Sequence, residues 1–235
     1  MIILDDRLST VAALIRRGSL VADVGCDHAY LSIWLVKNNI ARHVIASDIN
    51  DGPLYRAQKN IAAEGVADQI TLRRCNGLSG IEQFNPDDIV IAGMGGEQIM
   101  SVVEEAHFLR KAGKRLILQP MTRPERLRRA LCQMGYFIFD DVLTSSEGII
   151  YQVICAEYGT FEGQNPFTPG EFLLGRHIIA RRGDLFEKYL ARQISITAAR
   201  LSAKRSAGHE CEDERLLLHE LLSYQKRSPT VLMPR

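Results

Sequence analysis

The chain has 235 residues, 46% hydrophobic and 24% charged, enough for one large domain or one of ordinary size with an appendage. Its five cysteines (26, 75, 132, 155 and 211) lie far apart with no CxxC pair, which excludes a disulfide framework and a structural zinc site and fits a reducing cytoplasm. The net charge of +1 hides an asymmetry: residues 1–109 hold 9 Lys+Arg against 14 Asp+Glu, and residues 110–235 hold 20 against 14. A basic second half offers a surface for a polyanion, although solvated helix faces carry the same composition.

The start MII runs directly into DDR, unlike a signal peptide, and no uncharged apolar stretch is long enough to span a bilayer. The expectation is a cytoplasmic protein with no membrane partner. Residues 5–17 (DDRLSTVAALIRR) predict a helix burying Leu8, Val11, Ala12, Leu14 and Ile15 and closed by Gly18. Short apolar runs follow at 20–24 (LVADV), 43–48 (HVIASD), 69–74 (QITLRR), 88–93 (DIVIAG) and 114–119 (KRLILQ), with helical patterns between them. This alternation predicts a mostly parallel βαβ sheet. YFIFDDVLTSSEGIIYQVICAEY then reads as an antiparallel hairpin at the sheet edge. The Gly- and Pro-bearing stretch 159–170 reads as a linker, and 171–227 as helices only, interrupted at Gly183 and at SAGHEC, pairing as an antiparallel hairpin. The expected domains are 1–160 and 161–235.

Ligands of open α/β sheets sit beyond the carboxyl ends of the strands. The first strand ends VADVGCDHAY, where Gly25 permits a tight turn and close backbone approach, and Asp23 and Asp27 bring acid to the cleft. This is not the GxGxxG of a dinucleotide site. Carboxylates there suit the cationic ammonium and sulfonium of S-adenosylmethionine. The second strand ends IASDIN, placing Asp48 to accept both ribose hydroxyls, with Ile49 beside it. The third ends RRCNG, where Asn76 can meet an adenine edge next to Gly77, and the fourth ends IAGMGG, where Gly93, Met94 and Gly95 keep the cleft open. These residues favour a methyltransferase using S-adenosylmethionine; a nicotinamide enzyme and a non-catalytic nucleotide or RNA-binding module stay open as alternatives.

The stretches RLSTVAALIRRGSLVADVGCDHAYLSIWLV, ASDINDGPL, IAGMGGEQI, LILQPMTRPERLRRAL and EGIIYQVICAE resemble the bacterial tRNA (adenine-22-N1)-methyltransferase family over residues 4–157. The resemblance implies a Rossmann-like class I methyltransferase sheet with a small, all-helical, coiled-coil-like C-terminal domain. It also implies methyl transfer from S-adenosylmethionine to N1 of an adenine in the D-arm region of tRNA. The chain departs from the family at Asn76, where members carry an acid, and at Met121, where they often carry Asn. The resemblance places Arg7 near the cofactor carboxylate.

For catalysis, Asp27 is the expected carboxylate beside the charge that develops on the adenine, or the holder of N6, and His28 the second candidate. An acid before a helix also serves as an ordinary N-cap. Tyr30, Gln119 and Pro120 are expected to meet the target base, and Arg123, Arg126, Arg128 and Arg129 the RNA phosphates. Arg181, Arg182, Arg192, Arg200, Lys204 and Arg205 form a second basic candidate surface. The Asn/Asp-Pro-Pro-aromatic turn common in amino-nitrogen methyltransferases is missing from AGMGG, which favours N1 over N6. A small-molecule substrate is the alternative. No metal is expected, and a monomer is, with a dimer left open.

Overall fold

The computed structural model describes residues 2–159 and 166–226. Five strands run parallel: β1 (Ser19–Val24), β2 (Ala41–Asp48), β3 (Ile70–Arg74), β4 (Asp88–Gly95) and β5 (Arg115–Thr122). β6 (Tyr136–Ser146) and β7 (Ile149–Tyr158) form the expected antiparallel hairpin, turning through Glu147 and Gly148, both at positive φ. The sheet order is β3-β2-β1-β4-β5-β7-β6, so the chain reverses direction across the sheet between β1 and β4.

The strands read as unbroken apolar runs because both faces are covered. On one face Val21, Val44, Val90 and Ile117 pack under α1 (Asp6–Ala13), α2 (Tyr30–Lys37) and α3 (Asp51–Ala63). On the other, Ala22, Ile45, Ile89 and Leu116 pack under α4 (Gly96–Glu105) and α5 (Pro124–Gln133). The first helix is shorter than its pattern predicts. Asp5 caps it by accepting from the Leu8 N–H at 2.7 Å, but the Arg16 N–H donates to the fully buried Asp88 carboxylate instead of a helix carbonyl. Arg16 Nε donates to the same carboxylate at 2.7 Å, pinning the chain after α1 to the foot of β4. Farther up, Thr144 of β6 donates to the Asp6 carbonyl at 3.1 Å.

The second half ends in α6 (Pro169–Leu174), α7 (Arg176–Arg181), α8 (Asp184–Ser206) and α9 (Glu212–Lys226). Thr168 and Glu171 form a reciprocal capping box at the start of α6. Besides the predicted break at Gly183 there is one at Gly175, at φ 92, where a side chain would collide with Asp141 and Arg128. α8 and α9 pair as a helical hairpin and share a small core of Leu174, Ile178, Phe186, Tyr189, Leu190 and Leu221. Leu143 and Ile150 of the β6–β7 hairpin pack against that core. The expected boundary at 160/161 and residues 227–235 lie outside the described residues. Among the described residues no helix is long and apolar enough to cross a membrane.

Candidate active site

The carboxyl ends of β1, β2 and β4 meet at the point where the strand order reverses. Gly25 leaves β1 at φ 73, and its N–H and that of Cys26 both donate to the Ser47 carbonyl of β2, at 2.8 and 2.9 Å. Asp27 and Ala29 are also left-handed, at φ 48 and 58, an uncommon conformation for residues other than glycine. The N-cap of α2 is Ala29, with no side-chain cap, so Asp27 is not the capping acid its position allowed. Its carboxylate is 61% exposed, 3.5 Å from His28 Nε2 and 3.6 Å from Arg56 Nη2. The rings of His28 and Tyr30 stack at 5.3 Å, with Tyr30 45% exposed.

Two cavities of about 250 Å³ each share Gly25 and Gly93. The first holds Arg7, Asp23, Asp27, His28 and Tyr30. The second holds Asp48, Ile49, Asn76, Gly77 and Met94. A Cβ built on Gly25 would run into Met94 Cε, so the Met94 side chain lies over Gly25 where the two cavities meet. Asp23 is buried, receives Ser32 Oγ–H at 2.6 Å, and has its carboxyl pushed up to about 6 by burial, against the lowering effect of Ser32. A buried carboxylate satisfied only by Ser32 gains from a cation placed beside it. The Cys26 thiol is pushed well up, first by burial and then by the Asp23 and Asp48 charges, which keeps it protonated and unsuited to nucleophilic chemistry.

The donor set fits S-adenosylmethionine. Asp23 and Arg7 match the ammonium and carboxylate of its amino-acid end, and Asp48 and Asn76 the hydroxyls and base edge of its nucleoside. Arg7 Nη1 lies 3.7 Å from a Cβ built on Gly93, at the mouth of the first cavity.

Four sequence assignments need correction. Gln119 and Pro120 are buried and cannot meet an RNA base; the Gln119 oxygen is occupied by two protein donors, Arg7 and the Gly93 N–H. Gly95 lies outside both cavity linings and serves as N-cap of α4, close to Thr122. Arg128 is fully buried against Asp141, with Nη1 donating to the Phe172 carbonyl at 3.1 Å, so it holds the helical tail rather than phosphate. Burial raises the Asp141 carboxyl, but the Arg128 charge and the donors from His177 and Ile178 bring it below its ordinary value.

Arg123, Arg126 and Arg129 are exposed. Arg123 and Arg126 both donate to Glu97, the second at 2.7 Å, and Arg129 lies 4.4 Å over the Phe172 ring. In the tail, Arg181 is tied to Asp140, Arg182 to Glu187 and Lys204 to Glu214, while Arg192, Arg200 and Arg205 are exposed along α8. Sequence reasoning misses Ser32, Arg56 and Glu97. Ser32 and Glu97 lie within the stretches YLSIWLV and AGMGGEQI, but their partners Asp23, Arg123 and Arg126, like the Asp27 that Arg56 approaches, come beside them only through the fold.

The reversed strand order and a cleft with an amino-acid end and a nucleoside end define a Rossmann-like methyltransferase. Residues 4–154 match a family model described as a methyltransferase domain. The tRNA (adenine(22)-N(1))-methyltransferase of Bacillus subtilis is 38% identical over 156 residues, 66% of each chain. The crystal structure of the B. subtilis m1A22 tRNA methyltransferase TrmK is similar at a TM-score of 0.80 and 31% identity, over 95% of this chain and 96% of that one. Streptococcus pneumoniae Sp1610 in complex with S-adenosyl-L-methionine is similar at 0.78 and 30% identity, over 91% and 98%. The chain belongs to the bacterial tRNA (adenine-22-N1)-methyltransferase family.

Proposed function

We propose that the protein transfers a methyl group from S-adenosylmethionine to N1 of adenine 22 in tRNA, acting as a cytoplasmic monomer. The observation that carries this reading is the split cleft, with Arg7 and Asp23 at one end and Asp48 and Asn76 at the other. The cofactor supplies an electrophilic methyl on a sulfonium. The in-plane lone pair of adenine N1 forms the new N–C bond as the C–S bond breaks, and that electron pair stays on sulfur as a neutral thioether. N1 carries no proton to remove beforehand, so the protein's work is alignment, exclusion of water and support of the cationic product.

Asp27 supplies that support. It is an unburied carboxylate at the cleft mouth, held between His28 and Arg56. The stacked His28–Tyr30 pair offers a flat, half-exposed wall for a base taken out of its stack. Arg123, Arg126 and Arg129 receive the flanking phosphates, and the helices between Pro169 and Lys226 brace that surface and extend it through Arg192 and Arg200.

The test is incubation with labelled S-adenosylmethionine and unmodified tRNA transcripts, followed by reverse transcription. The expected result is one methyl per tRNA and a stop at position 22, because N1 methylation blocks the Watson–Crick edge. Label at another base, or none on any tRNA while S-adenosylmethionine binds, would overturn the assignment.

A further inference from the structure

Gln119 is fully buried within β5, yet its side chain serves the cleft. Its Oε1 accepts from Arg7 Nη1 at 2.7 Å and from the Gly93 N–H at 3.0 Å, and its Nε2 donates to the Pro120 carbonyl at 3.0 Å. Both partners on the first side are donors, and those on the other, the Pro120 carbonyl and Met121 Sδ at 3.6 Å, are acceptors, which fixes the amide's orientation. Arg7 stands at the start of α1, whose following turn is anchored far below by Arg16 on Asp88. The guanidinium is therefore held by its helix, by Gln119 and by Asp5, whose Oδ2 lies 3.5 Å from Arg7 Nη2.

We infer that Gln119 is a positioning residue that aims Arg7 at the carboxylate of the methyl donor without adding a second negative charge to that of the Asp5 carboxylate already 3.5 Å from Arg7 Nη2. The inference rests on the proposed use of S-adenosylmethionine. A glutamate here would accept the same two hydrogen bonds but would set a second carboxylate beside Arg7, from a fully buried position where water screens the pair poorly. An amide supplies direction without charge. The same oxygen holds the Gly93 N–H, and Gly93 faces Arg7 across the cavity mouth, so one buried atom sets both sides of the pocket that takes the amino-acid end.

The experiment compares two probes by calorimetry. S-adenosylhomocysteine carries the amino-acid end; 5′-methylthioadenosine shares the nucleoside and thioether but has no carboxylate. Gln119→Leu and Gln119→Glu should each weaken S-adenosylhomocysteine about tenfold, the scale of one hydrogen bond to a charged group, and leave 5′-methylthioadenosine within about twofold. In an Arg7→Ala background, Gln119→Glu should add no further loss. Should Gln119→Leu fail to fold, Gln119→Glu, which keeps the shape and the acceptor, carries the test alone. Equal losses for both probes would mean a merely structural role, and unchanged S-adenosylhomocysteine binding would mean no role; either overturns the inference. If the unaltered protein binds neither probe, it is the proposed function that fails.

Discussion

Asp23 shows how a single residue sets the working range of the site. Its carboxyl is pushed to about 6 by burial, from 3.8 in an unfolded chain. A raised acid favours the folded state while protonated, so as pH rises from about 4 to 6 the ionising carboxylate takes stability away, about 3 kcal/mol in all. On the proposed use of S-adenosylmethionine, its ammonium should restore that loss by pairing with the ionised form. Affinity for S-adenosylhomocysteine should therefore fall about tenfold between pH 7 and pH 5. Asp23→Asn should flatten that profile, lower affinity at pH 7, and remove the fall in unfolding free energy expected in urea titrations between about pH 4 and 6. Asp23, Asp48 and Asn76 were legible in the sequence because they end successive apolar runs, and a strand end in this fold is a place in the cleft. Ser32 was not, because its bond to Asp23 spans nine residues and crosses from helix to strand.

At the scale of the element, α5 faces two ways. Leu127, Arg128 and Leu131 are buried, and Arg126 and Arg129 are exposed. Positions 127, 128 and 131 share one side of a helix, so the burial of Arg128 was open to a stricter use of helical spacing. Its partner Asp141 was not legible, since a β6 residue comes next to α5 only through the fold. Arg128→Ala should cost about 3–5 kcal/mol of stability, measured in urea, by leaving Asp141 buried without its cation. The tRNA salt slope should be unchanged wherever the variant is folded. Arg123→Ala with Arg126→Ala should do the opposite. The melting temperature should hold, and the slope of log K against log salt should become shallower by about 2, one for each phosphate no longer neutralised.

Across the whole molecule, the charge asymmetry of the sequence overstates the basic surface. Arg128, Arg181, Arg182 and Lys204 are taken up by carboxylates within the second half. Near the cleft, Arg123 and Arg126 pair with Glu97 of the first half but stay exposed, beside Arg129, and Arg192, Arg200 and Arg205 are exposed along α8. The alternation of strands and helices, the edge hairpin and the helical tail were all readable from spacing. The break at Gly175 was not, because FLLGRHII keeps its apolar pattern on both sides of the glycine. That glycine is where the tail meets the sheet, and a Cβ there would lie 2.5 Å from Asp141 Oδ1 and 2.7 Å from Arg128 Nη2. Gly175→Ala should lower stability by about 2 kcal/mol or more, read as a lower melting temperature, since it adds a collision to a positive φ.

The position of Met94 over Gly25 has a kinetic side. Adenosine and free methionine, added as separate compounds, should occupy their own ends of the crevice together without competing. A molecule that spans both cavities is expected to displace the Met94 side chain from Gly25, so its entry rate should include a rotamer change. Met94→Ala should raise the association rate of S-adenosylhomocysteine in stopped-flow mixing, while leaving adenosine to enter as fast as before.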